Sequence, residues 1–480
     1  MDWDSRCRTF SITAMRRCRI LVLCVLVGSW SACGEDKGSR DPLPQTTFGG
    51  RLHVTCSESN GGASEAMPSV AGNSGDVDAD VHAGASGSGQ AGTGEPRVRF
   101  VPGTSAPQKT PPLDCGIDGI ALENAGPPQN RVNFVIVGDG YDASAVDHAY
   151  LDQLAWAMQT RFSAPTGEPY LRYRKFVNIC AFKVVSATNG IGNGPTAFSC
   201  TGSDSTRLIL CNTGAAEEWL DQHLPPDFEV DWRGIVLNTQ GDWGAGAPWA
   251  LWSGARLDAP KVALHEGGHA FHELADEYSE GVADDCSEFP LVNRTVDPVN
   301  TDGKWKHWLG YQAPEATGVQ CLFQGSEVCR SGLPSFVPSA NSIMQNLFAD
   351  DHTASFNSVS REKIIFDIWR ITRPIDLVDP PEGDVESPGT LRVYVIDPEV
   401  ISVDWSVDDE LIATNAGTSY DVAASGLSAG RHVISARAYD NAPRSLVRAR
   451  SGVCADSKHC WNRDAWKNSE QVVTWTVRVP

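Results

Sequence analysis

Apolar residues follow four patterns along this chain, and each predicts a different kind of segment. A basic cluster, Arg16, Arg17 and Arg19, precedes a short apolar run from Ile20 to Val27 and then small residues up to Ala32. That is the layout of an export signal over residues 1–33, and the run falls well short of the roughly 20 apolar residues a membrane span needs. From Ser57 to Pro96, 23 of 40 residues are Gly, Ser or Ala and none is aromatic, so little apolar surface is available to offset ordering entropy. Residues 34–114 are therefore expected to form a largely disordered tether.

Packed elements follow. Asn133 to Val137 is a continuous β-branched and aromatic run closed by Gly138-Asp139-Gly140, which predicts a buried strand and a turn. Leu151, Leu154, Ala155, Met158 and Phe162 recur at helical spacing within Ala145 to Phe162, with Asp142 or Ser144 as N-cap. A strand over Phe176 to Val185 would complete a βαβ unit. A further strand, Gly234 to Asn238, precedes a helix around Lys261 to Glu273, so residues 115–373 are expected to form one α/β domain. Beyond Arg373-Pro374 the pattern changes to short strands over Leu391 to Ile396, Ile401 to Val407, His432 to Ala438 and Val472 to Val479. That pattern predicts an all-β sandwich of immunoglobulin-like type over 374–480, separable enough that its deletion should leave hydrolysis of short peptides intact.

Charge and cysteine content narrow the function. With 60 acidic against 39 basic residues in 480, the net charge of -21 excludes a nucleic-acid partner. Ser31-Ala32-Cys33-Gly34 resembles a bacterial lipobox, in which the cysteine is lipidated, although Trp30 stands where leucine is usual. The expected partners are thus a membrane, through a lipid anchor on Cys33, and a protein or peptide substrate. Ten cysteines remain beyond Cys33, and an even number in an exported chain reads as disulfides; Cys200 with Cys211, Cys321 with Cys329 and Cys454 with Cys460 are close enough to be local staples. No CxxC pair is present, which argues against a thiolate zinc site.

The sharpest chemical signal is His265-Glu266-Gly267-Gly268-His269, preceded by the apolar Val262, Ala263 and Leu264. Residues four apart share a helix face, so His265 and His269 can offer imidazole nitrogens to one zinc ion while Glu266 acts as general base on the water that the ion polarises. A catalytic zinc takes a third protein ligand. Asp276 is the expected one; Glu277, His272 and remote carboxylates such as Glu288 remain alternatives. Met344, in Ser342-Ile343-Met344, is a candidate support beneath the histidines, and Tyr278 a candidate oxyanion stabiliser.

The HExxH stretch followed by Leu274-Ala275-Asp276-Glu277-Tyr278 resembles the signature of the IgA-peptidase family of bacterial zinc metallopeptidases. Val137 to Tyr141, Phe176 to Asn178, Thr196 to Phe198, Trp305 to Trp308 and Ser342 to Met344 resemble the family's blocks in the same order. The resemblance implies a zinc-dependent endopeptidase with a metzincin-like fold. Asn357 and Ser360 stand where members often carry two cysteines, Gly267 replaces a usual bulky residue, and His272 stands where a small one is common. Nothing in the sequence points to immunoglobulin cleavage. The rival reading is a surface-anchored binding or adhesion protein whose peptidase-like domain is inactive; an intact His265, Glu266 and His269 favours the enzyme.

Overall fold

The computed structural model describes residues 98–103, 111–192, 194–203, 207–241, 244–278, 291–296, 304–313, 317–328, 334–345, 354–386, 389–449 and 463–480. The export signal with Cys33, most of the tether, Glu288 and five cysteines (Cys56, Cys286, Cys329, Cys454, Cys460) lie outside the described residues. No described helix is long and apolar enough to cross a membrane.

The first half is built on a six-stranded sheet. Its strands are β1 (Gly119–Glu123), β2 (Val132–Asp139), β3 (Val177–Phe182), β6 (Trp232–Leu237), β7 (Gly244–Gly246) and β8 (Ala250–Ser253). A short hairpin of β4 (Thr201–Gly202) and β5 (Ile209–Leu210) lies beside them. The order is β1-β3-β2-β6-β8-β7, parallel through the four central strands and antiparallel at both edges. Parallel central strands are buried on both faces, which is why β2 and β3 read as continuous apolar runs. Side-chain parity then sorts two layers. Phe134 and Ile136 face one core, with helices α1 (Ala149–Arg161) and α3 (Ala259–His272); Val135 and Val137 face the other, with α2 (Thr213–His223). Helix α1 begins later than the apolar spacing suggests, because the Asp142 carboxylate accepts from the Ser144 and Ala145 amides and holds the preceding segment as a turn.

The chain continues through the pair β9 (Phe323–Val328) and β10 (Pro334–Val337) to α4 (Ser358–Ile371). Two sheets then follow. One is β11 (Ile375–Asp379), β13 (Thr390–Val395) and β16 (Ser419–Asp421); the other is β12 (Gly383–Val385), β14 (Ile401–Val407), β15 (Glu410–Ala413), β17 (Gly430–Asp440) and β18 (Glu470–Val479), with a short helix α5 (Arg463–Lys467) before β18. Trp405 of one sheet packs on Tyr420 of the other at 5.6 Å between ring centres and stacks on Trp475 at 6.0 Å. The architecture is thus mixed α/β with several sheets.

Two findings correct the expected layout. Residues 98–103 fall within the expected tether, yet Val101 and Gly103 hydrogen-bond to β16, and Phe100 stacks on Tyr420. The C-terminal sheets are also not an independent appendage. Asp440, at the end of β17, accepts from the Tyr173 hydroxyl (2.5 Å) and the Trp369 indole (2.9 Å), while Glu362 of α4 accepts from the Arg448 and Ala449 amides (2.7 and 2.9 Å). Arg131 pairs with Asp376 through both guanidinium nitrogens at 2.7 Å, and one apolar core runs from Phe134 through Trp369 to Trp475. Helix α4 is buried nearly all round, charged residues included, because the C-terminal sheets cover its outer side.

Two disulfides, Cys115–Cys180 and Cys200–Cys211, tie the segment before β1 to β3 and close the β4–β5 hairpin. The second is one of the local staples expected from spacing; Cys321 is also disulfide-bonded.

Candidate metal centre

Helix α3 leaves β8 through a turn in which Arg256 clamps the Asp258 carboxylate at 2.6 and 2.7 Å, and Pro260 sits in the first turn, where its missing N–H costs nothing. Val262, Ala263 and Leu264 bury the helix against the sheet, so the next residues are held over β7 and β8. The helix ends at Glu273, whose backbone is left-handed (φ 51°), and the Leu274 amide turns back to the Gly268 carbonyl. That reversal is what returns Asp276 to the histidines.

Three donor atoms converge. His265 Nε2 and His269 Nε2 lie 3.0 Å apart, and Asp276 Oδ1 is 3.1 Å from each. The other ring nitrogen of each histidine is committed: Nδ1–H of His265 donates to the Ile343 carbonyl at 2.9 Å, and that of His269 to the Leu274 carbonyl at 2.7 Å. Nε2 of each ring is therefore the nitrogen free to face a metal. Three such atoms about 3 Å apart repel one another unless a proton on His269 or a metal cation lies among them. A tetrahedral zinc with ligand bonds of about 2.0–2.1 Å sets its ligand atoms about 3.3 Å apart, so the residues fit that ion. Without a metal, burial would depress the His269 imidazole, but the adjoining Asp276 carboxylate more than reverses this and pulls it up to about 9. Burial would likewise raise Asp276, and its contacts with His265 and His269 hold it well below the usual carboxylate range instead.

Glu266 offers a carboxylate atom within 4.8 Å of the two histidine nitrogens and is buried. Its place is cleared by glycine. A Cβ on Gly244 of β7 would lie 2.1 Å from Glu266 Oε1, and one on Gly246 would lie 2.6 Å from both the Glu266 carbonyl oxygen and His269 Cβ. The Tyr278 ring stacks on His265 at 6.0 Å. Met344 is fully buried beneath α3, where a Cβ on Gly268 would come within 2.7 Å of its sulfur.

The alternatives to Asp276 are engaged elsewhere. His272 is fully buried, donates from Nδ1 to Asp367 at 2.9 Å and meets the Tyr170 hydroxyl at 2.6 Å; burial pushes it down to about 4, with Asp367 opposing. Glu277 accepts from Ser342 (2.6 Å), Asn293 (2.9 Å) and Asn357 (2.9 Å), while burial pushes its carboxyl up to about 7 against those donors. Trp305 and Trp308 are buried, their indoles donating to the Cys321 carbonyl and to Glu362.

Sequence reasoning missed the scaffold behind the ligands. Asn293, which reads as no more than a formal glycan sequon, grips both sides of Ala275: its Oδ1 accepts the Ala275 amide and its Nδ2 donates to the Ala275 carbonyl, each at 2.8 Å. Asn357 caps α4 through the Ser360 amide (3.0 Å) and reaches Glu277 with its other end. Their only sequence signal is an amide residue beside the site's blocks.

Comparison with known proteins places the chain. Residues 120–320 match the family model described as IgA Peptidase M64. No curated protein matches. A solved structure described as "Structures of Clostridium thermocellum CbhA fibronectin(III)-like modules" is similar at 17% identity over 21% of this chain and 92% of that one, with a TM-score of 0.13. The HExxH helix lies inside the matched span, so residues 120–320 are similar to the IgA peptidase M64 family.

Proposed function

We propose that the chain is an exported, zinc-dependent endopeptidase with a metzincin-like catalytic domain over 115–373 and an immunoglobulin-like sandwich over 374–480. The observation that carries this reading is the convergence of His265, His269 and Asp276 on one point, with Glu266 beside it. Zinc held there would supply a Lewis acid and lower the pKa of a water from 15.7 to about 7. Glu266 takes the proton that the attacking water loses and returns it to the departing amine. Asn293 and the turn at Glu273 keep Asp276 in position, and Tyr278 beside His265 is the candidate to stabilise developing negative charge. The N-terminal pattern supports export with lipid attachment at Cys33 and a peptide or protein substrate at the cell envelope.

The test is Glu266→Ala. That variant is expected to bind zinc with wild-type affinity and melt at the wild-type temperature while losing peptide hydrolysis; unchanged turnover rejects Glu266 as the base.

A further inference from the structure

The face of β7 that looks toward Glu266 does not end at β7. Leu208 bridges Gly244 in parallel register, and the Gly244 amide donates to the Arg207 carbonyl at 3.1 Å. Neighbouring strands lie about 4.8 Å apart, so the segment Leu208 to Leu210 forms the next rung outward from the glycines over the base. Parity fixes which way its side chains point. Ile209 is buried in the α2-side core with Val135, Ile235 and Leu237, and Ala245 of β7 packs on that same core. Gly244 and Gly246 face α3. Leu208 and Leu210, flanking Ile209, therefore project on the α3 side, and they are 49% and 68% exposed.

Two apolar side chains so exposed on a short strand are clamped in place. The Cys200–Cys211 disulfide closes the β4–β5 hairpin, and the Cys200 amide donates to Asp139, buried at the end of β2 (3.2 Å). The hairpin is thus anchored to the sheet, and an incoming chain finds a preformed surface. Because the Gly244 amide is committed to Arg207, recognition at this rung falls to side-chain contact.

Resting on the peptidase reading above, we propose that Leu208 and Leu210 form an apolar subsite, and that the substrate is a peptide carrying an aliphatic or aromatic side chain beside the scissile bond. The occupant follows from continuity: the leucines extend the glycine-cleared face next to Glu266, and burying an apolar side chain on them removes both from water.

The test uses the full chain loaded with zinc and a set of capped hexapeptides with Leu, Phe or Ser at each position in turn. Wild type is expected to favour Leu or Phe at one position by at least about 10-fold in kcat/KM, the discrimination an apolar pocket gives. L208S/L210S should abolish that preference, bringing the Leu and Phe peptides down to the kcat/KM of the Ser peptide, and L411S, an exposed leucine on β15, should leave the profile unchanged. Binding of fluorescein-labelled Leu and Ser hexapeptides to the non-hydrolysing Glu266→Ala protein should show the same loss in L208S/L210S without relying on turnover. Hydrolysis without an apolar preference, or with one that survives L208S/L210S, overturns the subsite and leaves the peptidase reading standing. A zinc-loaded wild type that neither cleaves nor binds any of the peptides overturns both.

Discussion

Gly246→Ala is the most demanding check on the geometry around the base. Neither Gly244 nor Gly246 has a left-handed backbone, so space alone requires glycine there. A Cβ on Gly246 would stand 2.6 Å from the Glu266 carbonyl oxygen and from His269 Cβ, whereas ordinary contact begins at 3.4 Å, so strand or helix must yield by about 0.8 Å. Helix α3 has little room to retreat, because Met344 and Phe356 are packed against its far side at Gly268. The strand must shift instead, against its pairing with β8, at an overpacking cost of about 1–3 kcal/mol. A misplacement near 1 Å costs about 100-fold in rate. Gly244→Ala differs in kind: the three atoms nearest its Cβ all belong to the Glu266 side chain, with Oε1 at 2.1 Å, and that side chain can swing away. Gly244→Ala should therefore keep wild-type zinc affinity and lose turnover by displacing the base, whereas Gly246→Ala should weaken zinc binding as well. Competition with a chromophoric chelator measures the zinc affinity, and a quenched-fluorescence peptide the rate. Wild-type values for both quantities in Gly246→Ala would refute the placement of β7 against the metal helix.

Asn293→Ala removes both contacts on Ala275 and one on Glu277 and should lower zinc affinity about 10–100-fold, as loss of a ligand's supporting partner does, with Asn293→Asp restoring only the contact to the amide; chelator competition decides. His272, lowered to about 4 by burial from an ordinary value near 6.5, binds fewer protons folded than unfolded, so its contribution is present above about 6.5 and is lost as the pH falls toward 4. The full window corresponds to roughly 3 kcal/mol, and urea unfolding of His272→Gln at pH 7 and pH 4.5 should show a flatter pH dependence than wild type. Truncation after Pro374 exposes Trp369 and strips Tyr173 of its acceptor, so the fragment should fail to give a cooperative thermal transition; a folded, active fragment contradicts the shared core.

The HExxH helix was legible because its pattern is local: two histidines one turn apart and a glutamate between them need no tertiary contact to be recognised. The carboxylate that joins the two histidines was legible only as a short set of candidates. Choosing among them takes the left-handed residue at Glu273, which a non-glycine sequence does not announce. His272 fails for a reason that spacing does contain, since seven residues carry it about 10.5 Å along the axis from His265. The central strands were legible from their apolar runs, whereas β7, the strand over the base, reads Gly-Ala-Gly and carries no β signal. Asn293 and Asn357 were invisible because an amide's partner is set by the fold; Asn357, read as a lost cysteine, instead links α4 to Glu277.

That link explains why the C-terminal sheets pack so closely on the first half. Asp276 is held by its neighbours: Asn293 fixes Ala275 before it, and Glu277 after it is fixed by Ser342 and Asn357. Asn357 begins α4, and that helix is anchored from outside, with Trp369 donating to Asp440 and Glu362 receiving the Arg448 and Ala449 amides. The path from the C-terminal sheets to the candidate ligands is thus a set of hydrogen-bonded groups, and each left unpaired in the interior would cost about 1–3 kcal/mol. A side-chain cluster made by one short helix and a loop needs such backing, because functional groups must be held to within about 0.5 Å by the shell around them. The second half of the chain provides that backing through α4, so the packing unit that supports the HExxH helix extends beyond the residues that carry the motif.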